Sequence, residues 1–276
     1  MPFLDRYNVG LAAHGGKGRS SFRRVRFAMC TVIIARTPDH PWPFLLAGNR
    51  DEMAGRPWKP PGHHWPLAPG VAGGLDEMAE GSWLGINEQG VVATILNRTG
   101  TLGPASGKRS RGELVIEALD HADAVNAAEA MSHLHAAAYR PFNLVVGDNR
   151  DAFWLRSDGE TIRITPIPEG VSMLTSGELN DPADPRIKSF LPRFRSAPLP
   201  DPAAGDWTAW QALLASRVPE GVRDREAGLT FQLDNGFGTR SSALIALPSM
   251  QHSGIEPVFL FAGGPPDREP YVPVLL

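Results

Sequence analysis

Short apolar runs of strand length set the hydrophobic pattern of this chain from residue 30 onward. Residues 30–36 and 44–48 form two such runs separated by a turn-rich segment, and they predict a hairpin. A second hairpin is predicted from residues 82–87 and 91–96. The same pattern predicts later strands at 142–147, 152–157, 161–166, 171–175, 229–233, 240–247 and 257–261.

Helical spacing of apolar residues occurs in three places. Ser110 is a candidate N-cap for one helix and Asp123 for a second, and Trp207 and Trp210 mark a third. The apolar faces of the first two are predicted to carry Leu114, Val115, Ala118, Leu119, Ala124, Ala128, Met131 and Leu134. Because strands group with strands and helices with helices, we expect an α+β fold of antiparallel sheets covered by helices.

Two proline-rich stretches interrupt the pattern. Residues 53–81 contain five prolines and predict a long loop, of the kind that often forms a binding loop or lid. Residues 192–205 predict a surface connection. The sequence shows no internal repeat and no second core, so residues 29–276 are predicted to form a single domain.

Composition and charge narrow the class of protein. The 276 residues are 42% hydrophobic, which is enough for a substantial core, and the net charge is −3. Residues 1–28 carry +5 and the remainder −8, which argues against a nucleic-acid partner and leaves a small molecule as the expected ligand. The single cysteine excludes an intramolecular disulfide and a multi-cysteine zinc site. No apolar stretch reaches the length of a membrane span or forms a secretory signal core, and we expect a cytoplasmic protein.

The first 28 residues form a basic leader rich in Arg, Gly and Ser, and they are predicted to be disordered. Three origins are considered: an upstream start codon, a propeptide whose removal exposes Cys30, or a targeting segment. The first is favoured because the patterned sequence begins abruptly at Met29.

Cys30 follows Met29 directly at the start of the first predicted strand. If the chain begins at Cys30, one residue carries both a thiol and a free α-amine. The amine, with an ordinary pKa of about 7.7–8.0, can accept the thiol proton near neutrality, so this residue supplies a nucleophile and its base. The competing interpretation is a small buried hydrophobe on a core strand.

A polar motif ends the second predicted strand, one hairpin away from Cys30. Asn49-Arg50-Asp51-Glu52 is placed to return its side chains to the level of the thiol. An arginine there lowers the thiol pKa, and a carboxylate orients the amine. By itself the motif is equally typical of a charged turn.

These residues, taken with further motifs in order, resemble the NRDE family of the transport and Golgi organisation 2 type. The shared motifs are Met29-Cys30-Thr31, Asn49-Arg50-Asp51-Glu52, Gly81-Ser82-Trp83-Leu84-Gly85, Ser110-Arg111-Gly112-Glu113-Leu114-Val115, Phe142-Asn143-Leu144-Val145-Val146-Gly147 and Gly238-Thr239-Arg240-Ser241-Ser242. The resemblance implies an N-terminal-nucleophile (Ntn) hydrolase-like fold, a four-layer αββα sandwich.

A more distant resemblance, to choloylglycine hydrolases, implies further roles. The stretch from Gly85 to Asn97 is similar to one in those amidases, and it implies that Asn97 donates to the oxyanion. Arg240 matches an arginine that supports the nucleophile electrostatically. Ser176 stands where a second oxyanion asparagine is expected, and the acid that accompanies Arg50 is either Asp51 or Glu52.

Two functions of different class follow from these resemblances. The first is a cysteine amidohydrolase of small amide or acyl conjugates, with Cys30 as nucleophile and no cofactor. The second is a non-catalytic carrier of haem or of lipid and acyl-CoA, in which Cys30 is an axial thiolate. In either case the ligand is expected to contact Asn49, Trp58, Trp83 and Thr239. No dedicated metal site is predicted, because the His63-His64 pair is typical of a solvated loop. A non-catalytic scaffold protein is the third class of function considered.

Overall fold

The structure is a computed structural model that describes residues 30–218, 227–251 and 254–276, so the predicted leader lies outside the described part. Its strands are β1 Thr31–Arg36, β2 Phe44–Met53, β3 Trp58–Gly62, β4 Val71–Asp76, β5 Ser82–Asn87, β6 Val92–Asn97, β7 Phe142–Gly147, β8 Ala152–Ser157, β9 Ile162–Pro166, β10 Gly170–Leu174, β11 Phe237–Leu247, β12 Val258–Ala262 and β13 Val272–Pro273. The helices are α1 Glu113–Ala118, α2 Ala124–Ser132, α3 Pro185–Ser196 and α4 Thr208–Leu214, with a 3-10 turn at Ala136–Ala138.

Two antiparallel sheets form the centre of the molecule. The first has the strand order β10-β1-β2-β11-β12-β13, and the second runs β3-β4-β5-β6-β7-β8-β9. In the first sheet Thr31 of β1 lies opposite Asn49 of β2, so the start of β1 meets the far part of β2. The predicted hairpin between residues 30–36 and 44–48 is therefore present, with a longer second strand.

Alternation along the strands places two different apolar faces on the first sheet. Val32 and Ile34 point into a core between the two sheets, whereas Ile33 and Ala35 pack against α3 and α4. The outer face of the second sheet packs on α1 and α2 through residues such as Leu144. Four layers result, in the order helices, sheet, sheet, helices, which confirms the predicted αββα sandwich.

The prediction of a loop over residues 53–81 was wrong, because this stretch contains β3 and β4. Pro60 and Pro61 lie in β3, which is the edge strand of the second sheet. An edge strand tolerates proline since its outward N–H positions need no partner, and the pairing with β4 also shifts register between Lys59 and Gly62.

Three other local predictions were corrected. Helix α3 occupies the first part of the predicted 192–205 connection, and it begins where Asp184 accepts from the Arg186 and Ile187 amides. Ser110 does not cap α1, since its hydroxyl accepts from the Gly112 amide and the helix begins at Glu113. The predicted strand 229–233 forms only a bridge between Gln232 and Gly238. Asp123 caps α2 as predicted.

Candidate active site

Cys30 lies at the start of β1, in the gap between the two sheets. It is half-buried and packs against the core between the sheets. Its Sγ accepts from the backbone amide of Asp51 at 3.4 Å, which fixes the thiol beside the end of β2. The thiol and the polar motif of β2 are therefore adjacent, as the hairpin predicted.

Strand alternation divides the four residues of the polar motif between two faces of β2. The Asn49 side chain donates to the carbonyls of Leu214 and Leu229, on the side of α4. Arg50 faces the other sheet instead, with its guanidinium carbon 4.3 Å from the centroid of the Trp83 ring. Only half of the motif therefore faces the gap that contains the thiol.

Arg50 is a buried cation with incomplete pairing. One guanidinium nitrogen lies 3.9 Å from a Glu52 carboxylate oxygen, which is long for a hydrogen bond. Its Nη1 is buried and has no hydrogen-bond partner among the described residues. Burial lowers the pKa of Arg50, while the Glu52 and Asp76 carboxylates oppose that shift. The arrangement leaves a donor available beside the thiol.

Asp51 forms a buried charge network on the opposite face. One carboxylate oxygen accepts from Thr239 at 2.8 Å, and the other lies 3.2 Å from Arg186 Nη1, which also donates to Thr31 at 3.0 Å. Burial raises the pKa of Asp51, and the Arg186 charge and the Thr239 hydroxyl act against it. Sequence reasoning missed Arg186, although the Asp184-Pro185 pair is a recognisable helix start that carries it.

The immediate surroundings of Cys30 keep its thiol protonated. Burial raises the thiol pKa to about 11, and the negative charge of Asp51 adds to the effect. The Asp51 amide and the Arg50 charge lower the thiol pKa, but by less than burial and the Asp51 charge raise it. With Cys30 linked to a preceding residue, the thiolate is therefore a minor species at neutral pH.

Asn97 is the last residue of β6 and lines the same cavity as Cys30. Its side-chain amide makes no hydrogen bond to another described residue. An uncommitted amide that lines the same cavity as a thiol is the kind of donor from which an oxyanion hole is built.

The cavity that contains these groups has a volume of about 320 Å3. Of its 21 lining residues nine are charged, and the cations outnumber the anions six to three. The cations are Arg50, Arg56, Lys108, Arg109, Arg111 and Arg140, and the anions are Asp51, Glu52 and Asp76. The volume is that of a small-molecule site, and the lining is polar and basic.

Several predicted site residues are not brought to this cavity. Ser176 lies outside its lining and bonds Thr99 through its hydroxyl, at 3.0 Å. Arg240 also lies outside, since its guanidinium donates to the carbonyl of Glu52, to Gln232 and to the carbonyl of Gly236. The bulge in β11 between Thr239 and Ser241 accompanies this orientation.

The expected ligand contacts are reduced in the same way. Asn49 and Thr239 are buried on the helix-facing side, where the Asn49 amide nitrogen and the Thr239 hydroxyl bond protein atoms. Trp58 stacks edge-on against Trp83, 5.8 Å between ring centroids, and only Trp83 lines the cavity. In the part of the chain that the structure describes, no three His, Cys, Asp or Glu side chains cluster as metal ligands, and no helix is long and apolar enough to cross a membrane.

The two stacked antiparallel sheets between layers of helices form a sandwich of the Ntn-hydrolase type. Among solved structures, the chain matches the N-acylethanolamine-hydrolyzing acid amidase ortholog of Caenorhabditis elegans with a TM-score of 0.54 at 14% identity, over 81% of this chain and 95% of that one. A variant of the conjugated bile acid hydrolase from Clostridium perfringens matches at a TM-score of 0.48 and 11% identity, over 90% and 97%. No curated protein matches by sequence.

The family is settled by the sequence itself. The model of the Transport and Golgi organisation 2 family matches residues 29–197, well over half of the chain. The protein belongs to that family, which confirms the resemblance to the NRDE motifs.

Proposed function

We propose that this protein is an N-terminal-cysteine amidohydrolase that acts on a small amide or acyl conjugate. The observation that carries the proposal is the shared cavity of the Cys30 thiol and the uncommitted Asn97 amide. A nucleophile and an oxyanion donor on two facing sheets are the minimum that acyl transfer needs.

In the proposed reaction the chain begins at Cys30. The α-amine takes the thiol proton, and the sulfur attacks the substrate carbonyl to form a tetrahedral oxyanion to which Asn97 donates. The C–N bond then breaks as the α-ammonium returns its proton to the leaving amine, which leaves a thioester on Cys30. Water, deprotonated by the same α-amine, hydrolyses the thioester and releases the acid.

A free α-amine is essential to this scheme because an amide nitrogen at Cys30 is no base. The free α-amine also lowers the thiol pKa when it is protonated, because an ammonium on the same residue favours the thiolate. In the intact chain the thiol pKa of about 11 makes Cys30 a poor nucleophile at neutral pH. We therefore expect activity only from molecules whose first residue is Cys30.

The polar motif supports the nucleophile in two ways. Arg50 places positive charge on the cavity side of β2 and thereby favours the thiolate, and Glu52 faces its guanidinium. The backbone amide of Asp51 donates to the thiol sulfur, while its side chain is held by Arg186 on the other face of the sheet. Ser176 has no contact that assigns it a part in this scheme, and Arg240 contacts the motif through the backbone carbonyl of Glu52.

The choice of an amide bond follows the fold. The amidase ortholog from Caenorhabditis elegans is named for the hydrolysis of N-acylethanolamines, which are neutral fatty amides. At 14% identity this match supports a shared fold only. That the bond cleaved by this protein is an amide is part of our proposal.

The alternative is a carrier of haem or of lipid and acyl-CoA in the same cavity. A thiolate-ligated haem does not fit well, because nine of the 21 lining residues are charged and, of the expected contacts Trp58 and Trp83, only Trp83 lines the cavity. A ligand with anionic groups suits the basic lining better, so acyl-CoA binding is the stronger form of this alternative.

The experiment compares a chain that begins at Cys30 with its Cys30→Ala and Asn97→Ala variants in a panel of N-acyl amides and acyl thioesters. Cys30→Ala should abolish turnover, and Asn97→Ala should lower kcat by about 10²–10³ with little change in KM. Asn126→Ala, at an exposed asparagine of α2, is the control and should have no effect. Undiminished acyl-CoA binding by Cys30→Ala, with no turnover by the unmodified chain, would favour the carrier.

A further inference from the structure

The segment before α1 supplies three of the six cations that line the cavity. Lys108, Arg109 and Arg111 come from this segment, and Arg140 approaches beside them, in a protein whose net charge is −3. The family-type motif at residues 110–115 contains Arg111, and the proposed reaction assigns it no role. A positive wall opposite the strands that carry the nucleophile therefore needs its own explanation.

Arg111 presents an uncommitted edge to the cavity. Its Nη1 donates to Thr101 Oγ1 and to the carbonyl of Pro141, both at 3.0 Å. Its Nε and Nη2 make no hydrogen bond to any described residue, and no carboxylate lies within ion-pair distance. A guanidinium fixed at one nitrogen, with two parallel donors left over, matches the geometry of an oxyanion.

Arg140 adds a second positive charge beside Arg111. Its Nη1 and Nη2 donate to backbone carbonyls of Gly100, Leu102, Gly103 and Pro104, so it organises the loop that closes the cavity. It contacts no carboxylate in the described part of the chain. Burial lowers the pKa of Arg111 to about 10, and the positive charges of Arg140 and Arg56 add to that shift.

The three acids of the lining are occupied elsewhere. Asp51 faces Arg186 behind the sheet, and Asp76 lies 2.7 Å from Arg56. Glu52 lies between Arg50 and Arg56, at 3.9 and 3.7 Å. None of them reaches Arg111. Arg109 is paired with Glu113 at 2.6 Å, so the positive charge left for a ligand is that of Arg111 and its neighbour Arg140.

We propose that the ligand of this cavity carries an oxyanion group, a carboxylate or a phosphate, which binds the free edge of Arg111 in the potential that Arg140 reinforces. The inference rests on the proposed function, and it narrows the substrate to an anionic amide or acyl conjugate. Since the cavity measures about 320 Å3 and both groups line it, one small conjugate contacts Cys30 and Arg111 together. Neutral N-acylethanolamines would leave Arg111 without a counter-charge.

The test measures binding in the Cys30→Ala chain, in which turnover cannot interfere, both for the full chain and for a chain that begins at residue 30. Three probes share one acyl group: an N-acylglycine, an N-acyl phosphoethanolamine and a neutral N-acylethanolamine. Isothermal titration should show the anionic probes bound about tenfold or more tightly than the neutral one, an advantage that weakens with salt. The glycine and phosphate probes distinguish the two oxyanion sources.

Variants assign the effect to Arg111. Arg111→Met should remove the advantage of the anionic probes and leave neutral binding unchanged, and Arg111→Lys should restore part of it. Arg163→Met removes the same charge from an exposed position of β9 and is the control. Equal binding of all three probes, absence of binding, or an equal loss for neutral and anionic probes in Arg111→Met would overturn the proposal. If the anionic probes bind selectively but the unsubstituted chain that begins at Cys30 hydrolyses none of them, the anion site is retained and the amidohydrolase proposal is rejected.

Discussion

The thiol of Cys30 experiences opposing influences from its neighbours. Burial and Asp51 raise its pKa to about 11, whereas the Asp51 amide and the Arg50 charge act in the other direction. Since a group with a raised pKa stays protonated until the pH approaches that value, the thiolate is a minor species near neutrality while the residue is linked to Met29.

This balance predicts a pH dependence of alkylation. In the full chain, the rate of Cys30 modification by iodoacetamide should rise about tenfold per pH unit up to about pH 10, because the thiolate fraction does so below the pKa. A chain that begins at Cys30 should reach the same rate at lower pH, since its ammonium stabilises the thiolate. Mass spectrometry of samples quenched at set times measures the rate at each pH for both chains. Coincident pH profiles would contradict the role given to the amine.

Among the elements, the start of β5 positions the basic segment. The Ser82 amide donates to the carbonyl of Gly112 at 3.0 Å, so the two backbones run in contact. A Cβ on Gly81 would lie 2.4 Å from the Gly112 carbonyl carbon, closer than packing allows. The glycine therefore permits Arg111 to sit at the cavity.

Gly81→Ala should displace residues 110–112 and destabilise the protein by about 1–3 kcal/mol, the usual cost of overpacking. The same variant should weaken the binding of the anionic probes more than the binding of the neutral probe. Urea unfolding and titration measure the two effects. Gly263→Ala, where no atom lies within 4 Å of the added Cβ, is the matched control. Unchanged stability of Gly81→Ala would show that the close approach is not maintained.

Across the whole molecule, the pair of Asp51 and Arg186 joins the first sheet to the outer helix layer. The two side chains come from β2 and α3, 135 residues apart, and are 0% and 5% exposed. Breaking a buried ion pair by removing one partner is strongly destabilising, because the other charge stays in a medium of low polarity.

A double-mutant cycle should reveal this coupling. Asp51→Asn and Arg186→Met should each lower the free energy of unfolding by about 3–5 kcal/mol, and the double variant should lose clearly less than their sum. The exposed pair Lys59–Glu77, at 3.5 Å, should show a coupling below about 1 kcal/mol in the same urea measurement. Additive losses at Asp51 and Arg186 would mean that the pair does not tie the layers together.

Local pattern sufficed for elements whose residues are buried on regular faces. Residues 82–87, 142–147 and 152–157 are strands with the predicted bounds, because apolar residues grouped over a strand length between turn residues favour a buried strand. It failed at the edge strand β3, where prolines are tolerated, and at α3, where internal Pro192 obscured the helix.

Sequence order also determined the neighbourhood of Cys30 and the polar motif, since a hairpin returns the chain to its own starting level. Only the tertiary structure decided which side chains share the cavity. Strand alternation turned the side chains of Asn49 and Asp51 toward the helix layer, and the β11 bulge accompanied the outward course of Arg240. Contacts between distant segments brought Arg111 to the cavity and Arg186 to the Asp51 carboxylate. Such contacts join residues far apart in the chain, so no local periodicity carries them, and burial and charge balance exist only once the layers have packed.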